Sequence, residues 1–229
     1  MNNIKQTKKE WGALLKIASS LFIPFMLLTN MCNDGENNGS SDNVKKKREV
    51  KEKVIERYRE GDKKIVGFYD GEGSIEAIVK RVYYYSQNDG GGKEKEENYN
   101  NGKLEGKYFE WYKNGQKHYE KNFKNGQLDG KYFEWYENGN KKIEYNYKNG
   151  KKNGKCFGWY DEGKKCFESN YKNDLLDGTC FKFYENGKIE EEKNYKNDQM
   201  DCDWKRYDKN GEISLHRIIK NGTIFKQIK

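Results

Sequence analysis

The chain has 229 residues, of which 33% are hydrophobic, 36% charged and 15% aromatic, with 18 Tyr and a single Pro. So few aliphatic side chains exclude a thick globular core, and so many rings argue against a disordered polyelectrolyte; the composition fits a thin structure stapled by aromatic side chains. The net charge of +8 does not imply nucleic acid, because Lys and Glu alternate and no recognised nucleic-acid-binding motif accompanies them.

At the N-terminus, Lys5, Lys8 and Lys9 precede an apolar stretch from Trp11 to Leu28 interrupted by Lys16. Its cleaner part, Ile17 to Leu28, has the length of a signal-peptide apolar region and is too short to span a bilayer. Cys32 comes next, then NDGENNGSSDN, a polar run suited to a tether. That order resembles a bacterial lipoprotein leader and makes Cys32 a candidate lipidation site. Thr29-Asn30-Met31 departs from the pattern, which places Leu three residues before the Cys and a small residue just before it. An uncleaved interfacial or membrane-anchoring segment is the alternative. Residues 1–32 are therefore expected to form a helical or disordered leader, and residues 33–53 a flexible linker whose basic run, Lys45 to Arg48, is succeeded at once by Glu49 and Glu52. The implied location is the bacterial cell envelope, after export, with the cytoplasm as alternative.

Residues 54–97 read as degenerate copies of a unit that becomes regular at Asn98. From Asn98 to Arg217 the chain repeats this 24-residue unit five times without insertion, beginning NYNNGKLEGKYFEWYKNGQKHYEK and NFKNGQLDGKYFEWYENGNKKIEY. Residues 218–229 are a partial terminal copy. A fixed period of this kind means an array in which each unit buries its apolar side chains against its neighbours.

Within a unit, numbered from its opening Asn, Asn-Gly or a close variant recurs at positions 4–5 and 17–18, as at Asn101-Gly102 and Asn114-Gly115. Both residues tolerate the positive φ of a two-residue type I′ turn, so each unit is expected to supply two antiparallel strands. The fold class is all-β: an elongated, single-layer meander of tandem hairpins. Two-residue loops would set Gly106, Gly130 and Gly154 opposite Phe123, Tyr147 and Tyr171, each ring folding over its glycine on the packed face. They would also set position 21 (His118, Lys142, Cys166) opposite position 14, and place Cys156 and Cys166 on opposite faces.

Alternation puts a stripe on the other face: Phe109, Phe133, Phe157 and Phe181 at position 12, with Trp111, Trp135, Trp159, Phe183 and Tyr207 at position 14. Successive copies lie two strands apart, roughly 10 Å, beyond direct ring stacking. Either Lys and Glu stems fill the gaps or the stripe is a binding groove. The Glu residues at position 23 (Glu120, Glu144, Glu168, Glu192) read as a solvated ladder.

No catalytic or metal constellation emerges. The two His, His118 and His216, are about four repeats apart, roughly 40 Å along the stack, and no CxxC or P-loop occurs. The expectation is a non-enzymatic protein without cofactor.

NGKLEGKYFEWYKNG and its copies resemble the MORN repeat (membrane occupation and recognition nexus) in its bacterial variant form, over Asn98 to Arg217 well and residues 57–97 poorly. Choline-binding cell-wall repeats share the Gly and aromatic alternation, but with a shorter period and a WYY-type cluster absent here. The resemblance implies a single-layer sheet of hairpins acting as an interaction scaffold, with a protein partner expected. Relatives described as antitoxins of toxin–antitoxin systems give one alternative, and binding of anionic membrane or cell-wall glycan gives another.

Overall fold

The computed structural model describes residues 50–59, 61–70, 77–220 and 223–229. The expected leader, Cys32 and the linker up to residue 49 lie outside these residues. Eighteen strands form one sheet: β1 (Val50–Arg57), β2 (Lys63–Asp70), β3 (Ala77–Tyr84), β4 (Lys93–Asn100), β5 (Lys103–Leu104), β6 (Gly106–Trp111), β7 (Lys117–Lys124), β8 (Gln127–Trp135), β9 (Lys141–Lys148), β10 (Lys151–Lys152), β11 (Gly154–Trp159), β12 (Lys165–Lys172), β13 (Leu175–Leu176), β14 (Gly178–Phe183), β15 (Ile189–Lys196), β16 (Gln199–Tyr207), β17 (Ile213–Lys220) and β18 (Thr223–Gln227). Counting β5/β6, β10/β11 and β13/β14 as one strand each, every strand pairs antiparallel with the one before and the one after it, so the described residues form a meander without crossovers. The pairs β5/β6, β10/β11 and β13/β14 are single strands broken at position 8. One 3-10 turn, Gln87–Asp89, interrupts the pattern, and no helix among the described residues is long and apolar enough to cross a membrane. The all-β, single-layer expectation holds.

The two turns of a unit differ. At positions 4–5 both residues have positive φ, as at Asn101 (48°) and Gly102 (73°), the type I′ geometry expected. Units four and five carry Asn-Asp there, and Asp174 and Asp198 still adopt φ of 71° and 64°. At positions 17–18 only the Gly has positive φ, 83° at Gly115. The Tyr112 N–H donates to the Gln116 carbonyl at 2.8 Å and the Gly115 N–H to the Tyr112 carbonyl at 2.9 Å. This is a three-residue loop, a type I turn closed by a left-handed Gly, and not the expected two-residue turn.

The extra loop residue does not shift the register, because a one-residue bulge cancels it. Glu110 pairs with Tyr119 but Trp111 with Lys117, leaving His118 unpaired. The predicted pairing of Gly106 with Phe123, Gly130 with Tyr147 and Gly154 with Tyr171 is therefore observed. The predicted partner of position 14 is not. Position 20 faces it, and the bulge turns position 21 onto the face of position 22, which places Cys166 on the same face as Cys156.

The position-9 glycines also serve a different purpose from the one expected. Gly106, Gly130, Gly154 and Gly178 have φ of 77°, 105°, 99° and 116°, where a second bulge opens against the preceding strand. A Cβ on Gly106 would meet no atom within 4 Å, so no ring sits on it. The opening Asn of the unit fills the gap: the Asn98, Asn122 and Asn146 side-chain amides donate to the carbonyls of Lys107, Lys131 and Lys155 at 2.6–2.9 Å. Cys202 holds φ of 74° in the fifth unit, a conformation costing a non-Gly residue roughly 1–2 kcal/mol. The ring-over-glycine contact occurs elsewhere, where Gly158 replaces the position-13 Glu and the Phe167 ring occupies the vacated space.

Successive units are clasped along both turn rows. The Tyr85, Tyr112, Tyr136, Tyr160 and Tyr184 hydroxyls donate to the carbonyls of Trp111, Trp135, Trp159, Phe183 and Tyr207, each at 2.8 Å. On the other row, the N–H of Gly126 and Gly150 reaches the carbonyls of Leu104 and Leu128. Few side chains are wholly buried. Val66, Val82, Cys156 and Ile219 are 1–3% exposed, while most rings are half-buried. A ring of ~200 Å² that is half covered contributes about 2.5 kcal/mol at ~25 cal/mol/Å², so stability accumulates as many equal increments along the array.

Candidate functional site

A single cross-strand row runs from β4 to β15 at the register of position 12. Glu96 pairs with Phe109, Phe109 with Glu120, Glu120 with Phe133, and so on through Glu144, Phe157, Glu168 and Phe181 to Glu192. Alternation of ring and carboxylate has two causes. Position 12 and position 23 face each other across every strand pair, and the bulge at position 21 keeps them in step. The row places the stripe residues as predicted on one face, with Phe109 and Trp111, Phe133 and Trp135, Phe157 and Trp159, and Phe181 and Phe183 in tilted contact at 5.6–6.3 Å.

The Glu ladder is not solvated. Glu120 is only 9% exposed and accepts Lys107 at 2.8 Å and Lys117 at 2.9 Å. Glu144 is held by Lys131 and Lys141, and Glu168 by Lys155 and Lys165; Glu96 takes Lys80 and Lys93. Burial opposes ionisation of these carboxyls, but the two lysine hydrogen bonds outweigh it and hold each below the ordinary glutamate range.

The same lysines fill the gaps between rings. The Lys117 ammonium lies 5.2 Å from the Phe109 centroid and 5.5 Å from that of Trp135, so it bridges consecutive units. Lys141 bridges Phe133 and Trp159, and Lys165 bridges Phe157 and Phe183. Each repeat of this face thus combines a ring pair, one carboxylate and two ammonium groups, and carries one surplus positive charge. From the fourth unit the pattern changes. Thr179 and Ile189 stand where lysines stood, and Glu192 instead accepts the Tyr207 hydroxyl at 3.0 Å, with Lys205 at 3.8 Å. The sequence held the signal for this set: Lys at position 10 and Lys at position 20 occur together in units one to three and are absent together in units four and five.

The opposite face holds tyrosines. Glu97, 8% exposed, accepts the hydroxyls of Tyr83 at 2.9 Å and Tyr99 at 2.6 Å, and Lys95 at 2.9 Å. Burial and this carboxylate push the Tyr99 phenol up to about 12. Tyr132, Tyr145 and Tyr147 interlock at 5.7–6.0 Å. Burial beside them pushes the Cys156 thiol up to about 12. The four cysteines of the described region are free, and no cluster of metal-ligating side chains occurs among the described residues.

No curated protein matches this chain. Residues 104–125, 128–149, 152–173 and 176–197, each spanning one hairpin between successive type I′ turns, match the MORN repeat variant, a kind of repeat that is in general a binding module.

Proposed function

We propose that the chain is a non-enzymatic interaction scaffold whose stripe face docks an acidic surface of a partner protein. One observation carries this reading: units one to three each present two lysines against a single carboxylate beside a ring pair. That gives three evenly spaced positive charges among the aromatic edges of Phe109, Trp111, Phe133, Trp135, Phe157 and Trp159. Rings and cations together suit a partner that brings carboxylates and some apolar surface. Phe181, Phe183 and Tyr207 extend the same face with fewer cations. The N-terminal segment, with Cys32 as lipid acceptor, would tether this scaffold at the envelope.

The test is a co-purification comparing the intact protein with two variants. One replaces Trp111, Trp135 and Trp159 by Ala, and the other replaces Lys107, Lys131 and Lys155 by Gln. Loss of a specific protein from both, with the circular dichroism of the sheet retained, supports the reading. Retention by the lysine variant refutes it, and salt-sensitive binding to anionic vesicles in place of a protein would transfer the face to a lipid partner. Metabolic lipid labelling of the full chain against Cys32→Ser tests the tether separately, and an unlabelled membrane-free protein would remove it.

A further inference from the structure

The turn rows carry a chemistry that needs no second molecule but water. Asparagine is a labile residue, and one followed by glycine can close on itself. The glycine nitrogen attacks the asparagine Cγ, the side-chain nitrogen leaves as ammonia carrying the proton of the glycine N–H, and a cyclic imide forms. Water then opens the imide to an aspartate or, through the other carbonyl, to a β-aspartyl link. Glycine permits the step because it has no Cβ to crowd the attacking nitrogen. The folded turn does not present the backbone that closure needs, so the rate follows how readily each turn opens.

The type I′ turns of units one to three carry this dipeptide in nearly one conformation. The φ angles are 48°, 51° and 50° at Asn101, Asn125 and Asn149, and 73°, 82° and 79° at their glycines, and all are exposed. What holds them differs. The Gly126 N–H donates to the Leu104 carbonyl at 2.9 Å and the Asn125 N–H to Glu105 Oε2 at 2.7 Å. In the next turn the Gly150 N–H donates to the Leu128 carbonyl at 2.8 Å and the Asn149 N–H to Asp129 Oδ2 at 3.0 Å. Among the described residues, neither Asn101 nor Gly102 donates to a neighbouring strand in this way. The degenerate copy before them is the cause: β3 stays in register with β4 only as far as Lys80 and Asn98, short of the turn.

The remaining described Asn-Gly pairs are restrained otherwise. At positions 17–18 each glycine N–H closes its own loop, as Gly115 does on the Tyr112 carbonyl at 2.9 Å. The Asn114 amide there also donates to the Glu137 carbonyl and accepts from the Gln116 N–H. Asn153-Gly154 lies at the head of β11, with the Asn153 N–H on the Asn146 carbonyl at 2.8 Å and Gly154 paired with Tyr171.

We propose that Asn101 is a self-modification site, the type I′ turn of the folded array that deamidates first, through the imide it forms with Gly102. The product puts a negative charge, and in its β-aspartyl form an extra backbone atom, between Asn100 and Lys103, the last pair of β4 and β5. A type I′ turn has no room for that atom, so conversion loosens the hairpin at which the regular array begins. The test follows the full-length protein over time at mildly alkaline pH. Digestion in heavy-oxygen water marks any conversion during digestion, and mass spectrometry with electron-transfer fragmentation identifies the β-aspartyl product. Each clasping bond that must be given up slows closure about fivefold, the equivalent of about 1 kcal/mol, so Asn101 should lead Asn125 and Asn149 by that factor or more. In urea the three rates should converge. Glu105→Ala, which removes the acceptor of the Asn125 N–H, should speed Asn125 about fivefold and leave Asn101 unchanged. Circular dichroism checks the fold of that variant, and should it not fold, the comparison of native and urea-unfolded protein decides. Equal rates at the three turns of the folded protein overturn the proposal, as does a lead at Asn101 that persists undiminished in urea or an unaltered Asn125 rate in folded Glu105→Ala.

Discussion

Replacing Glu144 by Gln tests whether charge holds the stripe together. Glu144 lies between Phe133 and Phe157 in the central row, its side chain 13% exposed, bonded to Lys131 and Lys141 whose side chains are 47% and 44% exposed. Hydrogen bonds to a buried charged group contribute about 1.5–3 kcal/mol each, while exposed ion pairs contribute about 0–1 kcal/mol. With a buried acceptor and half-exposed donors, about 1 kcal/mol for each contact is appropriate, and the substitution should destabilise the array by about 2 kcal/mol. The molecule contains its own control. Glu192 occupies the same register but has Ile189 in place of the bridging lysine, Lys205 at 3.8 Å and one tyrosine hydroxyl. Glu192→Gln should cost less than half as much. Urea unfolding monitored by tryptophan fluorescence measures both, with Glu137→Gln in an exposed turn as baseline. Equal losses at 144 and 192, or a loss below about 0.5 kcal/mol at 144, would show that ring burial alone holds the row and that the lysine–glutamate contacts are incidental.

Acid should act on the same contacts. Glu96, Glu120, Glu144 and Glu168 all have folded pKa values below the ordinary 4.5. The folded state therefore binds fewer protons, and their contribution is complete above pH 4.5 and lost as pH falls through the depressed values; thermal melts should show a steep loss of stability below that pH and little change just above it. Tyr136→Phe removes the clasp to the Trp159 carbonyl and should cost about 1 kcal/mol in urea unfolding, with the neighbouring hairpins intact. Gly158→Ala places a methyl where the Phe167 ring lies and should cost about 1–3 kcal/mol, most of it recovered in the double variant with Phe167→Leu; no recovery would mean the ring is not the obstacle. Among the four described cysteines, thiol labelling read by mass spectrometry should modify exposed Cys202 first and Cys156, 1% exposed and held as the thiol, last.

The amino-acid sequence determined the period, the β class, the type I′ turn at positions 4–5 and, outside the position-21 bulge, the division of side chains between two faces. Period and alternation are local properties, and alternation along a strand sorts faces wherever no bulge intervenes; Asn-Gly alone does not select the turn, since it gives a type I′ turn at Asn101-Gly102 and a three-residue loop at Asn114-Gly115. The register of Gly106 against Phe123 was also legible, though through two departures that cancel, a longer loop and a bulge at His118. What tertiary structure alone decided is what each face contains. Whether Glu120 is solvated or held between rings depends on Lys107 across the strand and Lys117 three residues earlier, and whether Lys117 covers a ring depends on Trp135 in the next unit. Lys142 reaches Glu134 only because the bulge turns it toward the tyrosine face. Such contacts join side chains from three or more strands, and no single-strand periodicity encodes them; they arise from how twist, bulge and charge settle together once neighbouring units stack.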